Sequence, residues 1–214
     1  MRRYVMELVG TFFLMLTIGS TVIAPNDAGA MAPIAIGSIL MAMVFAGGHV
    51  SGAHYNPAVS LSLLLRGGLS ASEVPGYMVA QFVGAALAAL AVGLFKGEPS
   101  IAPLQIDPTY ALIGEFLYTF ALCTVVLNVA TSRGTSGNSF YGLAIGFTVL
   151  AGAYAMGPIS GAAFNPAVVL GLTLVGLFAA SNIWIYLVAN FAAAAAAAAM
   201  FKLTEVTETG QRAA

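Results

Sequence analysis

The sequence predicts an all-α membrane protein: six transmembrane helices plus two re-entrant half-helices, arranged as an inverted repeat. Three observations carry this. Hydrophobic residues fill 60% of the 214 positions and charged residues only 7%, against about 25% charged in soluble domains. Six stretches are long and apolar enough to cross a bilayer, while two further apolar stretches are too short. The two halves of the chain also match each other at a fixed spacing, polar positions included.

The first span, near 4–24, follows Met1-Arg2-Arg3-Tyr4. That start is basic like a signal peptide, but no small-residue cleavage site closes a short apolar stretch, so a first helix that stays attached is expected. The turn Pro25-Asn26-Asp27 leads to a second span near 32–49. The next apolar segment, 57–66, reaches only ~15 Å at about 1.5 Å per residue, half the hydrocarbon thickness. Such a segment is a candidate re-entrant piece, which persists only where protein or a water-filled cavity surrounds its irregular backbone. Ser70-x-x-Glu73 reads as a capping box opening the third span near 73–95. Glu98-Pro99 through Asp107-Pro108 separates it from a fourth span near 109–130, and Thr131 to Asn138 precede a fifth near 140–157. A second half-length segment, 166–176, a sixth span near 180–202 and a polar tail, 204–214, complete the chain.

Arg2, Arg3, Arg66, Arg133, Lys202 and Arg212 fall on one side of this layout and only Lys96 on the other. Positive residues favour the cytoplasm, so both termini are expected there. The small size and the lack of a cleavable signal point to a prokaryotic inner membrane. A net charge of -1 gives no footprint for a nucleic-acid partner. Cys123, the single cysteine, lies in an apolar run and reads as a core residue.

Residues 48–59 reappear as 157–168 with eight of twelve positions identical, at an offset of 109. The same offset pairs Ala35-Ile36-Gly37 with Ala144-Ile145-Gly146, and Tyr77, Ala80 and Gln81 with Tyr186, Ala189 and Asn190. At an offset of 108, Glu7, Thr11 and Phe12 match Glu115, Thr119 and Phe120. The chain therefore reads as one channel domain, 1–214, built from repeats 1–98 and 109–203. Three spans per copy is an odd number, so the second copy enters the membrane inverted. Inverted repeats place their site near the midplane, where half-helices meet.

Asn56-Pro57-Ala58 and Asn165-Pro166-Ala167 open the two short segments. Asn is a favoured N-cap and Pro a favoured first helical residue, so each triplet is a compact helix start. Two such starts pointing at each other put two positive dipole ends at mid-membrane, which disfavours a cation. The amide NH2 groups would offer donors to a passing oxygen. The preceding residues, Gly52, Ala53, His54 and Tyr55, and Gly161, Ala162, Ala163 and Phe164, should be non-helical. Their carbonyls could then replace a solute's lost waters. Glu7 and Glu115, matched acids deep in full spans, are expected to accept N–H bonds from this irregular backbone rather than to relay protons. His49 and His54 are matched by Pro158 and Ala163, so no symmetric metal site is expected, and no cofactor. Gly84-x-x-x-Ala88 and the run Ala192 to Ala199 supply close-packing helix faces.

Two Asn-Pro-Ala boxes, inside Ser-Gly-Ala-His-Tyr-Asn-Pro-Ala-Val and Ser-Gly-Ala-Ala-Phe-Asn-Pro-Ala-Val, together with Glu7-x-x-Gly10-Thr11, resemble the aquaporin (major intrinsic protein) family over essentially the whole chain. The resemblance implies an hourglass fold and a homotetramer in membrane lipid. It also implies a pore in each protomer for small neutral solutes, water and glycerol-like molecules among them, lined by Asn56 and Asn165. The family's narrow filter usually carries an Arg two residues after the second Pro, where this chain has Val168. By spacing, the other filter positions fall at Ile36, Ala153 and Ala162; water-selective members usually have an aromatic and a His at the first two. An Ile-Ala-Ala-Val filter should be wider, uncharged and poor in donors. It should admit larger neutral solutes and leave cation exclusion to the two boxes. Rival readings are an inverted-repeat secondary transporter, a closed structural member of the same fold, and a membrane enzyme, for which no triad, ligand set or phosphate loop is found.

Overall fold

The structure, a computed structural model, describes residues 1–97 and 101–205. The end of the first repeat at Glu98-Pro99, and the tail after 205 with Arg212, lie outside the described residues. The described chain forms α1 (Arg2–Val22), α2 (Ala32–Ser51), α3 (Pro57–Arg66), α4 (Val74–Lys96), α5 (Pro108–Thr131), α6 (Tyr141–Ser160), α7 (Pro166–Leu174) and α8 (Ile183–Thr204). Among the described residues six helices are long and apolar enough to span a membrane. The helices α3 and α7, of 10 and 9 residues, are not.

Two local expectations need correction. The helix α6 runs three residues beyond the expected stop at 157: it continues through Pro158, which lacks the N–H to bond the Tyr154 carbonyl, and the left-handed Gly161 (φ 83°) ends it. The capping box does not form either. The Ser70 hydroxyl donates to the Glu73 carboxylate (2.8 Å) rather than accepting from a backbone N–H, and Glu73 also pairs with Arg3. The Ser70 hydroxyl first, and then the Arg3 guanidinium, hold the Glu73 carboxyl below the usual range. The residue is used to tie the start of α4 to the start of α1.

The repeat is visible in the packing. The pair α1 and α4 in one half corresponds to α5 and α8 in the other, and α2 crosses α6 between them. At that crossing Gly37 and Gly146, matched at the 109 offset, face each other. A Cβ on Gly37 would lie 2.7 Å from the Gly146 carbonyl oxygen, and one on Gly146 would lie 2.6 Å from the Gly37 oxygen. The two copies thus meet across their own equivalent residue, and only glycine permits that approach. In α8, Ala193, Ala194, Ala197 and Ala198 are buried. In α4, Gly84 lies against the Leu8 backbone of α1.

The short helices run inward from opposite faces. On the face that carries the termini, Arg66 ends α3 by donating to Thr131 Oγ1 (2.9 Å) and Thr131 O (2.6 Å) at the end of α5. Its guanidinium also lies over the Phe201 ring of α8, 5.1 Å from the centroid. The matched residue at the end of α7 is Val175, so only the first half-helix is clamped by a cation.

Candidate functional site

The inner ends of α3 and α7 meet in the middle of the protein. Asn56 Oδ1 accepts from Ala58 N (2.8 Å) and Asn165 Oδ1 from Ala167 N (2.9 Å), so each side chain caps its own half-helix. The amide nitrogens reach across: Asn56 Nδ2 donates to Phe164 O (2.8 Å), and Asn165 Nδ2 donates to Tyr55 O (2.9 Å). The junction is therefore bonded in both directions. One of the two amide hydrogens on each Asn is already used, which halves the donors expected for a solute. Pro57, Ala58, Pro166 and Ala167 are buried behind this pair.

Left-handed backbone makes the junction possible. The stretch before α3 has positive φ at Gly52, Ala53 and Tyr55, and the stretch before α7 has it at Gly161, Ala162 and Phe164. Non-glycine residues held there carry strain that the surroundings must offset. The offset comes from the two acids. Glu7 accepts from Ser51 Oγ (2.7 Å), His54 N (3.0 Å), Tyr55 N (2.6 Å) and Gln81 Nε2 (2.8 Å). Glu115 accepts from Ser160 Oγ (2.8 Å), Ala163 N (2.9 Å), Phe164 N (2.7 Å) and Asn190 Nδ2 (3.1 Å). The two sets are the same under the repeat, donor for donor. Both amide nitrogens face a carboxylate, and in consequence Gln81 Oε1 and Asn190 Oδ1 are both left buried without a partner.

A cavity of about 380 Å³ opens from this junction toward the face opposite the termini. All four filter positions expected from sequence, Ile36, Ala153, Ala162 and Val168, line it, together with Asn56 and Asn165. So do the loop residues Ala53, His54, Tyr55, Gly161, Ala163 and Phe164, whereas Gly52 lines the cavities on the terminal side. Among the described residues, no Lys, Arg, Asp or Glu lines this outer cavity. Two inner cavities, of about 300 and 580 Å³, lie on the terminal side. Arg3 lines the first of these and Arg133 the second. His54 and Val126 line both the outer cavity and the first inner one, and Ile145 lines the outer cavity and the second.

Sequence reasoning missed several participants. The hydroxyls of Ser51 and Ser160 bridge Glu7 and Glu115 to the N–H of Ala53 and Ala162. Tyr77 and Tyr186 donate to the Ser51 and Ser160 carbonyls, both at 2.6 Å. Their signal was present, since all four are matched polar positions of the repeat. Leu104 and Phe178, which also wall the outer cavity, gave no signal. Leu104 lies in the segment that joins the two repeats, and the residue matched to Phe178 is Leu69, apolar but without a ring.

Comparison with known proteins bears on the family and the fold. The family model described as major intrinsic protein matches residues 38–201. Aquaporin NIP1-4 of rice, Oryza sativa subsp. japonica, is 36% identical over 209 residues, covering 94% of this chain and 76% of that protein. The putative aquaporin NIP4-1 of Arabidopsis thaliana is 34% identical over 203 residues, covering 87% and 69%. The X-ray structure of the aquaglyceroporin from Plasmodium falciparum superposes with a TM-score of 0.78 over 94% of each chain. At 21% identity that match bears on the fold alone.

Proposed function

We propose, on the premise that this chain belongs to the major intrinsic protein (aquaporin) family of membrane channels, that it passes water and small neutral solutes up to about glycerol size through a wide, uncharged filter. The chain is an integral multi-pass membrane protein, and its family is one of channels rather than enzymes. One observation carries the finer reading: Ile36, Ala153, Ala162 and Val168 converge on a single cavity that, among the described residues, no charged residue lines. In this reading the four residues are the filter. The free carbonyls of the two left-handed stretches take solute hydrogens, and the remaining Asn56 and Asn165 amide hydrogens meet solute oxygen at the midplane. Cation exclusion falls to the two opposed helix starts, since among the described residues no cationic side chain lines the outer cavity. Glu7 and Glu115 serve as fixed acceptors that hold the loops. We read the protein as a homotetramer with both termini cytoplasmic. The relatives compared are plant proteins, which lend no support to a prokaryotic inner membrane.

The test is stopped-flow swelling of proteoliposomes under water, glycerol, urea and ammonia gradients. The reading expects protein-dependent flux of water and of at least glycerol or urea, without saturation at low solute. Strong water flux with no solute flux would sink the wide filter. Saturation at low solute, or counterflow, would favour the transporter reading, and vesicles passing nothing would favour the closed structural one.

A further inference from the structure

An inverted repeat that builds a ring of residues on one side of the midplane builds its image on the other. Under the offset of 109, the filter residues Ile36, Ala153, Ala162 and Val168 are matched by Ile145, Val44, Ala53 and Val59. The matched four therefore belong on the inner side of the Asn56–Asn165 junction. Both rings are apolar, and three of the four pairs are identical residues. Val59 matches Val168, so no Arg narrows the outer ring relative to the inner one. The remaining difference is Val44 against Ala153.

That difference makes the inner ring the tighter one. Valine is the bulkier residue, and Val44 and Ala53 are buried, at 2% and 7% exposure, whereas Ala153 and Ala162 are partly exposed. The cavities point the same way. All four outer residues line one cavity. The inner four are divided: Ala53 and Val59 line the outer cavity, Val44 lines the second inner cavity, and Ile145 lines both. The lumen is thus open at the outer ring and interrupted at the inner one. The inner ring is also stiff. Val44 and Ile145 stand on α2 and α6, whose backbones touch at Gly37 and Gly146, and β-branched side chains in helices keep largely to one rotamer.

We propose that Val44, Ala53, Val59 and Ile145 form the ring that limits solute size, an inner apolar constriction that is the repeat image of the outer filter. This rests on reading the lumen as the conducting path for small neutral solutes, and it assigns that path a cut-off at the end opposite the wide filter. Apolar side chains offer a solute no hydrogen bond in exchange for its lost waters, so this ring selects by girth. The outer ring stays the wider of the two until a large side chain is placed there, as in Val168→Arg.

The experiment is the ratio of erythritol to glycerol permeability of the purified protein in proteoliposomes, with water flux recorded in parallel. Val44→Ala gives the inner ring the composition of the outer one and should raise that ratio about tenfold or more, the scale on which a pocket discriminates by a methylene group. Adding Ala153→Val to it moves the narrow ring to the outer end and should bring the ratio back to within about twofold of the wild type. Ile145→Val, a milder truncation of the same ring, should raise the ratio in the same sense, and it carries the test where Val44→Ala yields no folded protein. An unchanged ratio in folded Val44→Ala or Ile145→Val would overturn the proposal. A double variant that keeps the raised ratio would overturn the matching of the two rings on which it stands. A wild type that passes neither water nor glycerol would overturn the channel reading itself.

Discussion

Glu7 and Glu115 each face four donors. A glutamine of the same shape would turn one oxygen into a donor and set it against N–H groups. Glu115→Gln is therefore expected to destabilise the fold by about 2–5 kcal/mol, the cost of one or two unpaired buried donors, read as a lower unfolding temperature in detergent. Glu7→Gln should cost a similar amount, within about 1 kcal/mol, because the two donor sets are alike. A proton-relay role would instead leave stability near wild type and change only proton movement. At this scale the sequence was most legible where chemistry recurred. Asn56, Asn165, Glu7 and Glu115 stood out as matched polar residues in apolar surroundings. Phe178 did not, because its role comes from the missing ring at Ala163, an absence that only three-dimensional packing converts into a contact. Nor was the cross-bond from each Asn to the opposite loop legible, since a carbonyl partner leaves no mark on sequence.

The half-helices are short elements whose inner ends carry the account. Asn165→Ala removes the α7 cap, worth about 1 kcal/mol, and with it the bond to Tyr55 O. The expected outcome is a measurable rise in cation conductance in planar bilayers with water flux largely kept, because the helix start loses its fixed position while the lumen remains open. Unchanged conductance would show that the amide does not contribute to ion exclusion. Helix lengths followed from apolar runs and punctuation, which is why the starts of α2, α3 and α7 fell where expected. The end of α6 did not, because the helix continues through Pro158 and stops only at the left-handed Gly161. The Ser70 motif misled for a different reason: Arg3 of α1, 70 residues away in sequence, is a competing partner for Glu73 that no local pattern reveals.

Across the whole molecule, the two copies are joined at Gly37 and Gly146, where each backbone carbonyl occupies the space of the other residue's missing side chain. Gly37→Leu should force α2 from α6 and abolish folded protein on size-exclusion chromatography, overpacking costs of about 1–3 kcal/mol or more being expected where backbone cannot yield. A well-folded Gly37→Leu variant would show that the crossing is looser than this packing implies. The inverted architecture, the pairing of α1 with α4 and of α5 with α8, and the meeting of the short helices all follow from the odd number of spans per repeat. The chemistry of the lumen follows from Val168 and from where the repeat is broken, at His54 against Ala163 and Leu69 against Phe178. The most direct measurement is the ratio of glycerol to water permeability in proteoliposomes of the wild type and of Val168→Arg, prepared side by side. A wide filter predicts substantial glycerol flux in the wild type and a fall of about tenfold or more in the ratio for Val168→Arg, a difference near 1.4 kcal/mol. Equal ratios in the two proteins, or a wild type that conducts water alone, would contradict it.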